Sequence, residues 1–277
     1  MAFEQLKSPP LVEAILEVKW RVGPSNQPPA TAATTGVWPG PPSEIAIDPS
    51  YDLLVGRLSD RLSNSYPFHE RLPSAIIPPG IVPFLVQHRF RKGQNAWPVV
   101  QVGPGIVTLN DTRNYQWADF LERGITLINT LFETHPQKSE VVMDSLLLRY
   151  IDAEPFDFAT ESALKFLKEN LKVTLQLPDS LFQEGQVESR PEGLNLQVVY
   201  PSMSPRGVLQ LKIATGKRDN QQAIIWETAV LTRGQDVPEL PGGTKNWLEA
   251  AHGLTHAWFF KLVEGELLRR YSVDEQR

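Results

Sequence analysis

The segment Val12–Val22 alternates between apolar positions and mostly charged positions. The apolar set is Val12, Ala14, Leu16, Val18, Trp20 and Val22. The set between them includes Glu13, Glu17, Lys19 and Arg21. Because successive side chains of a strand point to opposite faces, this pattern predicts a strand with one buried and one solvated face. Such a strand favours an antiparallel sheet that is covered on one side.

Further helices and strands follow from hydrophobic periodicity and from proline and glycine positions. The predicted elements, in chain order, are a helix from Asp48-Pro49 to near Tyr66-Pro67, two strands over 84–91 and 97–102, a helix over 117–132 that ends at His135-Pro136, and a buried strand over 141–153. Residues 106–110 continue or follow the second of the two strands. The order of strand, helix, strand, strand, helix, strand is that of a ferredoxin-like domain.

The remaining chain partly repeats this order. Its predicted elements are a helix from near Thr160, strands near 194–200, 207–215 and 223–232, and a long helix from about Thr244 to Tyr271. We therefore predict an α+β protein with antiparallel strands and helices on one face, in two halves over 1–155 and 156–277. The order leaves open whether the halves are ferredoxin-like βαββαβ-type domains or share one sheet.

A proline-rich stretch over 24–43 interrupts the N-terminal half. Its small polar residues cannot build a core, so it is predicted to be a surface loop. Trp38 is the residue of this loop with most surface to bury. It either folds back onto the protein or docks onto a partner, and the first is the more common behaviour of a lone aromatic residue.

The chain contains no cysteine, which excludes disulfides, thiolate metal sites and cysteine nucleophiles. No apolar run reaches the roughly 18 residues of a membrane span, and the first residues lack the pattern of a signal peptide. We therefore expect a cytoplasmic protein without a membrane segment. No phosphate-binding loop, dinucleotide fingerprint or nucleophile elbow is present, so we expect no cofactor and lean against an enzyme.

Three stretches carry a resemblance to a known family. They are residues 8–18 (SPPLVEAILEV), residues 148–152 (LRYID), and residues 247–252 (WLEAAH) with the aromatic residues that follow through Phe259. In their order and spacing they resemble a family of sporadically distributed bacterial proteins of unknown function. The resemblance implies a shared fold and an accessory role, and it carries no activity over to this chain.

His252 and His256 are four residues apart on the last predicted helix, and Glu249 lies one turn earlier. Histidines at this spacing can bind a metal, which makes a metal-dependent hydrolase one hypothesis. The zinc-protease pattern would need Glu after the first His, where the chain has Gly253. The apolar side of the helix leaves all three residues on its polar side, so a solvated role is favoured.

Glu13 and Glu17 share the solvated face of the first strand, at a separation that two catalytic carboxylates could use. The same pair arises on any solvated strand. Arg149 lies within an apolar strand and requires an acidic partner. We predict a structural ion pair between Arg149 and Glu13 or Glu17, in preference to an anion-binding site.

The hairpin around residues 87–92 combines Arg89, Arg91 and Lys92 with Trp97 on the return strand. This mixture of cations and aromatic rings is typical of nucleic-acid surfaces, so a nucleic-acid-associated protein is a second hypothesis. The formal net charge of −5 provides no overall attraction for phosphates. Basic residues also protect edge strands from aggregation, which is the favoured interpretation.

Trp258, Phe259 and Phe260 make the last helix apolar on every side over a short stretch. A surface helix needs only one apolar side, so these residues indicate a partner or self-association surface. The leading hypothesis is therefore a non-catalytic interaction protein, a subunit or regulator in an accessory pathway.

Overall fold

The computed structural model describes residues 6–23, 48, 50–78, 81–112, 114–185 and 187–272. The predicted loop over 24–43, with Trp38, and Pro49 lie outside these residues. The strands are β1 (Leu11–Val22), β2 (Phe68–Arg71), β3 (His88–Arg91), β4 (Val99–Gly103), β5 (Ile106–Asp111), β6 (Val141–Pro155), β7 (Asn195–Met203), β8 (Arg206–Arg218) and β9 (Gln221–Arg233). The helices are α1 (Tyr51–Leu62), α2 (Trp117–Thr134), α3 (Ala163–Asn170), α4 (Ser180–Gly185), α5 (Thr244–Leu262) and α6 (Glu266–Ser272).

The strands form one sheet of nine strands in the order β2-β3-β4-β5-β1-β6-β9-β8-β7. Every neighbouring pair is antiparallel. The predicted α+β class with an antiparallel sheet is therefore confirmed. The prediction of two separate ferredoxin-like halves is not confirmed. β6 of the predicted N-terminal half pairs with β9 of the C-terminal half, which makes the sheet continuous.

The element order repeats when the chain is divided before β6. In each part a first strand (β1 or β6) is followed by a helix and by an antiparallel meander. The last strand of the meander (β5 or β9) returns to pair with that first strand. A helix then follows, α2 in one part and α5 in the other. The two first strands pair with each other at the centre of the sheet.

The face of β1 predicted to be buried is the face that carries the main core. Ala14, Leu16, Val18 and Trp20 are completely buried. They pack with apolar residues of α1, α2 and α5. The opposite face of the sheet is more polar, and Glu17 and Lys19 form an ion pair there. The one-sided covering that the alternation predicts is therefore present.

A second apolar cluster forms where β8 and β9 meet α3, the end of α5 and α6. Trp226 is completely buried at its centre. The predicted helix from Thr244 to Tyr271 is here two helices, because α5 ends at Leu262 and Gly265 adopts a φ of 113° that a helix cannot contain. The turn brings Leu267 and Tyr271 of α6 onto this cluster.

None of the helices in the described part of the chain is long and apolar enough to cross a lipid bilayer.

Gly105 closes the tight turn between β4 and β5. Its φ of 71° is the conformation that a type II turn requires after Pro104. A Cβ atom at this position would lie 2.6 Å from the carbonyl oxygen of Trp20. We therefore expect Gly105→Ala to lower the free energy of unfolding by about 1–3 kcal/mol in urea titrations.

Gly56→Ala is the matched control for this variant. Gly56 lies within α1, and a Cβ atom there would meet nothing within 4 Å. This variant should raise the free energy of unfolding by about 0.5–1 kcal/mol, because alanine is the better helix former. Equal effects of the two substitutions would contradict the importance of the turn.

Candidate functional site

A cavity of about 720 Å³ lies between the helix-covered face of the sheet, the beginning of α2, the second half of α5 and the N-terminal segment 6–11. Sheet residues Tyr150, Asp152 and Thr228 line one side of it. The remaining lining residues are Leu6, Lys7, Pro9, Pro10, Leu11, Thr112, Asn114, Tyr115, Gln116, Trp117, His252, Thr255, His256, Phe259 and Phe260.

Two polar side chains at the sheet side of the cavity each have a buried oxygen atom without a hydrogen-bond partner within the described structure. Asp152 is only 3% exposed, and its Oδ2 atom is unpaired. Thr228 is completely buried, and its Oγ1 atom is unpaired as well. Folded proteins pair nearly all buried polar atoms, since an unpaired one costs about 1–3 kcal/mol. Two such atoms therefore provide open hydrogen-bonding positions at the floor of one cavity.

Burial raises the pKa of Asp152 to about 8, and the positive charge of Arg218 only partly opposes this effect. The guanidinium of Arg218 donates to two backbone carbonyls, that of Ala153 at 3.0 Å and that of Pro10 at 3.5 Å. Asp152 is therefore protonated in much of the population at neutral pH, and it changes charge near the pH of the cell.

Two tyrosines and a histidine form a continuous hydrogen-bond chain along the cavity. The hydroxyl groups of Tyr115 and Tyr150 lie 2.8 Å apart, and the Tyr150 hydroxyl lies 2.9 Å from His252 Nδ1. Burial raises the pKa of both tyrosines above their usual range. Burial, assisted by the nearby His256, lowers the pKa of His252 to about 3. At neutral pH the tyrosines are therefore protonated and His252 is uncharged.

Aromatic rings form the helical wall of the cavity. The rings of Trp117 and His252 stack with centroids 3.8 Å apart and planes 10° from parallel. Along α5, His256 lies 4.5 Å from Phe260 between ring centroids, and Phe260 lies 5.3 Å from Phe259. The spacing of four residues places His252, His256 and Phe260 on one side of the helix. The cavity thus has flat apolar walls and a small polar floor.

His252 does not have the solvated role that the helix pattern favoured. It is 8% exposed, because Trp117 at the first turn of α2 covers its ring. The predicted metal candidates do not come together either. Glu249 is exposed and lies 3.9 Å from Lys245, between Oε1 and Nζ. Among the residues that the structure describes, no group of three or more His, Asp or Glu could hold a metal ion.

Arg149 has a different partner from the one predicted. Its Nη1 atom lies 3.8 Å from Oε2 of Glu227 on β9. The register places Arg149 opposite Ile15 on β1, while Glu13 lies opposite Ile151. Glu13 instead accepts a hydrogen bond of 2.8 Å from Asn110 Nδ2 on β5. These residues lie on the sheet face opposite the cavity.

The cations of the hairpin between β3 and β4 are mostly engaged within the protein. Glu70 on β2 lies 3.1 Å from Arg91 Nε and 3.9 Å from Arg89 Nη1. Arg91 is 8% exposed, and its guanidinium lies 5.4 Å from the ring centre of Trp97. Lys92 is exposed. The edge of the sheet is β2 and not this hairpin, and the paired arginines offer phosphates less charge than the sequence indicates.

The three aromatic residues predicted to bind a partner are half-buried. Phe259 and Phe260 line the cavity. Trp258 packs against both apolar clusters, and its ring centre lies 5.4 Å from that of Tyr200. Their apolarity therefore serves the core and the cavity wall.

Several cavity residues were not identified as site residues from the sequence. Tyr150 and Asp152 entered it only through the resemblance, and Thr228, Tyr115 and Trp117 were not considered as site residues. One available signal was Asp152 itself, because a carboxylate in an apolar strand needs an explanation as much as Arg149 does. Nothing comparable marks Thr228, since threonine is common in strands.

Substitution of Asp152 by Asn should change how stability depends on pH. A carboxyl group whose pKa is raised on folding holds a proton that the unfolded chain releases, so stability falls as pH rises toward its folded pKa. The lowered pKa of His252 makes stability rise with pH instead, and it does so mainly below about pH 6.5. Between pH 6.5 and 8 we expect the free energy of unfolding of the wild type to fall by on the order of 1–2 kcal/mol, measured by thermal unfolding. Asp152→Asn should abolish this loss.

Asp144→Asn is the matched control, because it makes the same chemical change on the same strand. Asp144 lies outside the cavity, 3.3 Å from Arg21 between Oδ1 and Nη2. This variant should keep the pH dependence of the wild type. An unchanged slope in Asp152→Asn would show that Asp152 is already ionised in the folded protein.

The chain matches no family model, no curated protein and no solved structure. Membership in the bacterial family that its three stretches resemble stays a prediction.

Proposed function

We propose that this protein is a non-catalytic accessory protein of the cytoplasm that binds a small organic molecule in the cavity beneath α5. The observation that carries the proposal is the pair of unpaired, buried polar atoms on Asp152 and Thr228, which line a cavity large enough for a ligand. Membership in the family of the resemblance is part of the same proposal.

The dimensions and chemistry of the cavity support ligand binding. Its volume of about 720 Å³ falls within the roughly 300–1,000 Å³ of typical small-molecule sites. Such sites combine apolar and aromatic walls with a few polar groups that fix the orientation of the ligand. Here Trp117, Phe259 and Phe260 supply the walls, and Asp152 and Thr228 supply the polar groups.

The electrostatics favour binding over catalysis. His252 is uncharged and stacked, and the raised pKa values of Tyr115 and Tyr150 keep both hydroxyls protonated at neutral pH. An acid–base mechanism needs two groups with complementary proton affinities near the working pH. Burial raises the pKa of Asp152 to about 8 and lowers the pKa of His256, so neither change moves the two groups toward a shared acid–base pair.

The edge strand β7 supports the accessory role. It ends the sheet, and three of its apolar residues are strongly exposed: Val199 (49%), Tyr200 (47%) and Met203 (82%). Exposed edge strands are common sites where a partner adds its own strand. A partner at β7 could thus respond to a ligand bound beneath α5, because Tyr200 contacts Trp258 of that helix.

Thr228→Phe tests the proposal by filling the cavity from the sheet side. Protein purified from its host under native conditions should release about one small organic molecule per chain in the wild type, detected by mass spectrometry after denaturation. The variant should release none, because the phenyl ring occupies the place of the ligand.

Gln210→Phe is the control, since Gln210 lies on β8 at the opposite face of the sheet and pairs with Ala229. This variant should release the same molecule as the wild type. A wild-type protein that releases nothing, or equal release from all three proteins, would contradict a ligand in this cavity.

A further inference from the structure

We infer that the ligand is an organic amine whose ammonium group binds between Asp152 and Thr228 while its body packs against the aromatic wall. This inference rests on the proposed function, because it specifies the chemistry of the molecule that the cavity binds.

The hydrogen-bonding capacity of the floor matches an ammonium group. An ionised carboxylate only accepts hydrogen bonds, and a threonine hydroxyl can accept two. An ammonium group has up to three donors and no acceptor, so it can satisfy Asp152 Oδ2 and Thr228 Oγ1 together. A ligand carbonyl could accept from the Thr228 hydroxyl but from Asp152 only in its protonated form, so the ionised floor favours the ammonium group.

The sheet register brings the two groups to one place. Tyr150 lies opposite Thr228, and Asp152 lies opposite Trp226, two residues before Thr228 on β9. Asp152 and Thr228 are therefore diagonal neighbours on one face, with backbones about 7–8 Å apart. One small group between them can contact both side chains.

Charge favours an ammonium group over a neutral donor. A buried carboxylate is stable in its ionised form only when a cation lies close to it. The positive charge of Arg218 only partly opposes the rise in the pKa of Asp152. The guanidinium of Arg218 donates hydrogen bonds to the carbonyls of Pro10 and Ala153. An ammonium group in the cavity would make the direct pair.

Binding of an ammonium group must release a proton at neutral pH. Protonated Asp152 gives its proton to the buffer, and the resulting carboxylate pairs with the ammonium group. The other ionisable groups near the site are Tyr115, Tyr150, Tyr271, His252, His256, Lys7 and Arg218. The pKa values of the three tyrosines are raised and those of the two histidines are lowered. Asp152 is the group whose raised pKa, about 8, lies between pH 7 and 9.

The experiment is isothermal titration of the full chain with probes of one shape and three charges. The probes are 2-phenylethylamine, 2-phenylethanol and 3-phenylpropionate, with hexylamine, 1-hexanol and hexanoate as an aliphatic set. We expect the better amine to bind at least tenfold more tightly than its alcohol at pH 8.5. At pH 7, titrations in two buffers of different ionisation enthalpy should show release of close to one proton per amine bound.

Asp152→Asn should lower amine affinity at least tenfold and abolish the proton release, while Asp144→Asn should change neither. Thr228→Val gives a second, isosteric test of the floor and should weaken amine binding without affecting the proton release. Thermal unfolding checks that each variant is folded.

Three results would overturn the inference. They are amines that bind no better than their alcohols, amine affinity unchanged in Asp152→Asn, and no binding by either amine. In the first case, alcohol binding that is lost in Thr228→Phe would leave the cavity as a ligand site with a neutral ligand. In the other two cases, the molecule released from host-purified protein decides separately whether the proposed function stands.

Discussion

The antiparallel ladder between β1 and β6 is the interaction on which the rest of the structure depends. It runs from Leu11 opposite Asp152 to Val22 opposite Val141 and joins the two repeated element orders into one sheet. Each of these central strands has a neighbour on both sides, so neither presents an edge to solvent. α2 and α5, which follow the two meanders, both pack over this centre. A shift of one residue in this ladder would turn the apolar face of β1 to solvent.

The cavity is a consequence of this central arrangement. Ala14 lies opposite Tyr150, so one strand supplies a small side chain where the other supplies a large one. The Tyr150 hydroxyl extends to Tyr115 beside α2 and to His252 on α5, and it thereby connects both helices to the sheet. Beyond this hydrogen-bond chain the helices cover Asp152 without pairing its Oδ2 atom. Tyr150 thus lies between the apolar core and the polar floor of the cavity.

The local elements could be predicted from the sequence because each has a strong pattern of its own. Alternation defines β1, and the stripe that includes Phe120, Ile128 and Leu131 defines α2. The continuity of the sheet could not be predicted, since the pairing of β6 with β9 joins distant segments. The same limit applies to the partner of Arg149, because acids lie diagonal to it on both neighbouring strands. Glu13 and Glu17 contact Asn110 and Lys19 instead, and these side-chain contacts are not visible in the sequence. The site depends on His252 being covered by Trp117, a contact between two helices that neither helical pattern contains.

The cavity is lined on one side by the sheet and on another by the N-terminal segment. The floor belongs to central strands of the sheet, whereas residues 6–10 lie outside it. The amides of Lys7 and Ser8 donate to the carbonyl oxygen of Tyr271, and Ala153 and Arg218 donate to Pro10. Segments outside the sheet generally open at a lower free energy than central strands. Under the proposed function, the exchange rate of a ligand would therefore depend on this segment and its affinity on the sheet, so residence time and selectivity could change independently.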